Sequence, residues 1–92
     1  MKGGITGPRK ALAMCQLFGV RLEIHTAGTP LLDLSNLHVV RAVDNGEFVE
    51  THHPIFRFGL KDDPLGIDGG GCPRLPSGPG LGVELDWDWI EA

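Results

Sequence analysis

The chain has 92 residues, 41% of them hydrophobic and 22% charged, with a formal net charge of −4. That balance is ordinary for a soluble globular chain and argues against a nucleic-acid binder, since the only basic run, Arg9-Lys10, sits at a predicted helix start. No apolar stretch approaches the roughly 20 residues that span a bilayer, so no membrane partner is expected.

The first eight residues contain no apolar core of the signal-peptide kind, and a cytoplasmic location is the expectation. Two cysteines, Cys15 and Cys72, are too few for a disulfide framework. Cys15 falls in a helical apolar pattern and reads as a packed free thiol. Fourteen Gly and seven Pro crowd largely into the second half. A domain resting on that half alone would bury too little apolar surface to offset its chain entropy, so cover from outside this sequence is expected.

In chain order, a helix is predicted over residues 8–18. Thr6 suits its N-cap, Pro8 its first turn and Gly19 its C-terminal stop. Leu12, Cys15 and Phe18, flanked by Ala11 and Met14, form the apolar stripe. Residues 20–25 alternate, with Val20, Leu22 and Ile24 on one face and Arg21, Glu23 and His25 on the other, which predicts a strand. A second helix is predicted over residues 31–43, with Leu34, Leu37, Val40 and Arg41 along one face, ended by the turn residues Asp44-Asn45-Gly46. Residues 48–51 form a second predicted strand, closed by His52-His53-Pro54. Helix, strand, helix, strand with short connections is the order of βα units on a parallel sheet.

Beyond Pro54 the periodicity fails. Residues 55–60 are compatible with an extended run, and residues 61–64 with a turn. Asp68-Gly69-Gly70-Gly71 reads as a loop tip between residues 65–67 and 72–75. Residues 76–80 are irregular, and Asp86 is placed to cap a short terminal helix. The glycine run is not a phosphate loop: it lacks the Lys-Ser/Thr end and precedes no helix.

Gly3-Gly4-Ile5-Thr6 opening a helix, a strand ending Ile24-His25-Thr26 and a strand ending Phe48-Val49-Glu50 occur in a telling order. The tail Pro76-Ser77-Gly78-Pro79-Gly80-Leu81-Gly82-Val83-Glu84-Leu85-Asp86 completes the pattern. Together they resemble the C-terminal end of the mandelate racemase / muconate lactonizing enzyme family of the enolase superfamily, which includes acid-sugar dehydratases. The resemblance covers essentially the whole chain.

The resemblance implies an α/β chain, the C-terminal quarter of an enolase-superfamily (β/α)8 barrel, where a full barrel needs about 250 residues. Residues 1–54 would be the last βα units: the helix after strand six, strand seven, its helix and strand eight. Residues 55–92 would be a tail packing on the capping domain, with Trp87 and Trp89 as anchors. The implied activity is magnesium-dependent abstraction of the proton α to a carboxylate, as in a sugar-acid dehydratase or racemase. The Mg2+ ligands and the opposing base would lie on strands this chain does not contain. A small-molecule sugar acid would be the partner of a homo-oligomeric parent enzyme.

By the same resemblance His25 is the strand-seven general acid or base, a task that suits an imidazole. Glu50 is the strand-eight acid contacting a substrate carboxylate oxygen. Glu23, one layer deeper than His25, reads as structural support that must be paired. Two rival expectations accompany this one: a non-catalytic remnant or interaction module, and a small metal site using His25, His52 and His53. The last is weakened because neighbouring strand residues point opposite ways.

Overall fold

A computed structural model describes residues 4–25, 28–50 and 59–92. Among them are three helices: α1 (Thr6–Leu17), α2 (Pro30–Arg41) and α3 (Trp87–Glu91). The predicted residues 51–58, including His52 and His53, lie outside the described residues.

Helix α1 starts earlier than its sequence suggests, and Thr6 is not its cap. Ile5 already has helical angles, φ −70° and ψ −33°, and its carbonyl accepts from Arg9 N at 3.2 Å, so the first turn closes one residue upstream without a side-chain cap. The end is as expected. Gly19, at φ +65°, donates to Gln16 O at 3.1 Å while Val20 N donates to Cys15 O at 2.8 Å, the paired bonds of a Schellman motif. Leu12 is fully buried, but Phe18 is exposed, so the predicted stripe is packed at one end only.

Helix α2 begins at Pro30, whose missing N–H costs nothing there, and the Thr29 carbonyl takes the amides of Leu32 and Asp33. Leu34, Leu37 and Val40 are buried as the periodicity predicts, whereas Arg41 is exposed. Pro30, Asp33, Asn36 and Val39 are buried too, so α2 is covered on most of its circumference.

What covers α2 is the irregular second half. Leu34 and Leu37 cluster with Leu60 and Leu65, and Val49, Leu81, Val83 and Leu85 pack against them. His38 Nε2 reaches the Leu81 carbonyl at 3.2 Å. An antiparallel bridge joins Leu60 to Leu85, supported by Lys61 N to Glu84 O and Asp86 N to Gly59 O, both 3.0 Å. A second bridge, Ile67 to Pro73, closes the glycine loop where the sequence placed it. Gly82 is obligatory: its φ is +74°, and a Cβ there would lie 2.7 Å from Pro76 Cβ. Asp86 caps α3 by accepting from Trp89 N at 3.1 Å.

The two predicted strands come side by side, and their described residues form no ladder. Along the first, burial alternates: Leu22 and Ile24 are half-buried while Arg21, Glu23 and His25 are exposed. Among the described residues one backbone bond links the segments, Leu22 N to Asn45 O at 3.2 Å. In a parallel pair of that register Glu47 N would return to the Leu22 carbonyl. Instead the Glu23 carboxylate takes it, and takes Phe48 N as well. A side chain thus occupies the Glu47 donor that a ladder with this segment would use.

Candidate active site

The polar face of residues 20–25 meets residues 46–50 at three successive points. The Arg21 guanidinium pairs with the Glu47 carboxylate. Glu23 Oε1 accepts from Glu47 N at 3.1 Å, and Oε2 from Phe48 N at 2.9 Å. His25 Nδ1 lies 2.6 Å from Glu50 Oε2. Numbers rise together along both segments, so they run in the same direction, as successive strands of βα units do.

The site residues expected from sequence, His25 and Glu50, are therefore brought into direct contact. Their side chains are 77% and 50% exposed, at the mouth of an open cavity of about 350 Å³ lined by Glu23, Ile24, His25, Phe48, Val49 and Glu50. With Nδ1 held by the carboxylate, the imidazole presents Nε2 to whatever enters.

Upstream, the site rests on Asn45. Its side-chain amide donates to Leu12 O and to Val20 O, each at 3.2 Å, tying α1, the His25 segment and the Glu50 segment together. Sequence reasoning saw Asn45 only as a turn residue; its partners lie 33 and 25 residues away. Among the described residues no group of three or more His, Cys, Asp or Glu side chains could hold a metal ion. The described residues therefore do not fit a magnesium site.

The family model described as "Enolase C-terminal domain-like" matches residues 1–89. The chain belongs to that family. A protein from Pseudovibrio sp., assigned to the mandelate racemase/muconate lactonizing enzymes, has a crystal structure that superposes with a TM-score of 0.88. That match is 38% identical and covers 97% of this chain and 24% of the other. D-galactarolactone cycloisomerase of Agrobacterium fabrum is 31% identical, over 94% of this chain and 25% of its own length. D-xylonate dehydratase of Haloferax volcanii is 27% identical, over 98% of this chain and 22% of its own. The chain thus spans about a quarter of the length of the relatives it matches. The enolase-superfamily fold class expected from the sequence holds, with the α/β units of a barrel represented by α1, α2 and the two paired segments between and after them.

Proposed function

We propose that this chain contributes the His25 end of an active site to an enzyme that removes the proton α to the carboxylate of a sugar acid, a dehydratase in the first instance. The observation that carries the reading is the 2.6 Å contact between His25 Nδ1 and Glu50 Oε2, at matching ends of two parallel segments. It is supported by relatives named as a sugar-acid dehydratase and a sugar-acid lactone cycloisomerase. Barrel enzymes carry their catalytic groups at such strand ends.

In this reading Nε2 of His25 exchanges protons with substrate, and Glu50 is the acid that contacts a substrate carboxylate oxygen. In a dehydration the α-proton passes to an opposing base outside this chain, the β-hydroxyl takes the Nε2 proton of the His25 imidazolium and departs as water, and the resulting enol tautomerises to the 2-keto-3-deoxy acid. In a racemisation Nε2 would move the α-proton itself. Magnesium belongs to the proposal as the ion that neutralises the enediolate charge in this superfamily; its ligands would lie outside the described residues. The 92-residue chain on its own is expected to show no turnover, because His25 is open to water and an acid–base group needs a site that positions its substrate.

The protein carrying this chain, given Mg2+ and a panel of pentonates and hexonates in D2O, is expected to replace the α-hydrogen signal of one sugar acid and release its 2-keto-3-deoxy product. Proton NMR reads both. Failure of every acid in the panel to lose its α-hydrogen, by exchange or by dehydration, would remove the proposal.

A further inference from the structure

We infer that the Asn45-Gly46 peptide is a spontaneous modification site, a deamidation switch that the fold holds shut and that unties α1 once it has reacted. The pair lies between α2 and the Glu50 segment. Asparagine is among the thermolabile residues, and Gly46 has no side chain to keep its amide nitrogen away from the Asn45 carboxamide carbon. Among the described residues that nitrogen donates no hydrogen bond.

The chemistry needs only water. The Gly46 nitrogen bonds to Asn45 Cγ, the Cγ–Nδ2 bond breaks, and Nδ2 leaves as ammonia with the proton that the Gly46 nitrogen gave up. Water then opens the five-membered imide at either carbonyl, leaving an aspartate or an isoaspartate at position 45.

Three features of the structure oppose the first step. Nδ2 donates to Leu12 O and Val20 O, each at 3.2 Å, and attack makes Cγ tetrahedral and releases Nδ2, so both bonds must be given up. Asn45 Oδ1 is buried and among the described residues accepts no hydrogen bond. Negative charge developing on it during attack has no donor to meet it, the reverse of an oxyanion hole. Gly46 also lies close against α2, where a Cβ would be 3.0 Å from Val40 Cγ1, which limits its movement. The same contact excludes a bulkier residue, so the packing that protects the reactive glycine also retains it.

Reaction is therefore confined to openings in which α1 leaves Asn45, and it is irreversible. An aspartate at position 45 would set acceptors against the Leu12 and Val20 carbonyls in place of a double donor. An isoaspartate also adds a carbon to the main chain just before Gly46, displacing the Glu47 and Phe48 amides from the Glu23 carboxylate.

The test incubates the protein carrying this chain in mildly alkaline buffer, folded and in denaturant, and follows the Asn45 peptide by mass spectrometry with isoaspartate-specific methylation. Leu12→Ala, which removes buried packing from α1, is run beside it, with Leu12→Val in its place if it does not fold. The unfolded chain is expected to convert at Asn45, and the folded wild type at least about tenfold more slowly. The Leu12 variant should convert several-fold faster than folded wild type. Asn45→Asp, the reaction product made directly, should exchange the backbone amides of α1 at least about tenfold faster than wild type. Equal rates in the folded and unfolded protein, or a Leu12 variant no faster than wild type, would overturn the shielding by α1. No conversion at Asn45 in the unfolded chain would overturn the site itself, and wild-type exchange in Asn45→Asp would overturn the untying.

Discussion

At the residue scale, two carboxylates in this chain do similar work in different places. Glu23 holds the amides of Glu47 and Phe48, and Asp68 holds those of Gly70, at 2.8 Å, and Cys72, at 2.9 Å. The Cys72 and Gly70 N–H groups, in that order of effect, pull the Asp68 carboxyl below its ordinary value of 3.8, with a smaller contribution from Arg74. A lowered carboxyl pKa stabilises the fold above the unfolded value, and that contribution fades as pH falls through the lower folded value. The amide signals of Gly70 and Cys72 are therefore expected to titrate together, with a midpoint below 3.8. A common midpoint at or above it would show that the loop is not closed on the carboxylate.

At the element scale, the helices were legible in the sequence because apolar spacing survives any change of partner. Leu34, Leu37 and Val40 point inward whatever covers them. The Gly19 stop and the Asp86 cap were legible because their bonds are local. The start of α1 was misplaced, since Ile5 enters the helix through its backbone and leaves no side-chain signature. The strands were legible as alternation but not as a ladder, because Glu23 diverts the donors and its targets are 24 and 25 residues away. His25 and Glu50 could each be picked through the family resemblance, which puts them at strand ends. Their contact could not, because it depends on register. Asn45 was missed for the same reason. Its amide joins α1 to both site segments, so Asn45→Ala should cost about 1–3 kcal/mol. Denaturant unfolding should show a lower midpoint at an unchanged slope; an unchanged midpoint would mean that α1 is held by Leu12 packing alone.

At the scale of the whole molecule, the chain exposes 6406 Å², where a folded monomer of 9.9 kDa exposes about 5,200 Å². Part of the excess is apolar. Leu17 is 86% exposed, Phe18 79% and Phe48 66%, and Trp87 and Trp89 are each more than half exposed. Surfaces of that kind are where further protein packs. The relatives are about four times longer than the stretch they share with this chain. The second half, which lacks periodicity, nonetheless supplies Leu60, Leu65, Leu81 and Leu85 to the core on α2. That use of irregular chain was not readable from pattern, because its order comes from tight glycine turns such as Gly82 and from isolated bridges.

The most direct measurement compares turnover of a responsive sugar acid by the protein carrying this chain and by its His25→Asn variant, with Mg2+ binding checked in both. In His25→Asn kcat is expected to fall at least about a hundredfold with metal binding near normal, as when a general acid or base is removed. An unaffected rate in His25→Asn would contradict it, and would leave the His25–Glu50 contact as a structural pair only.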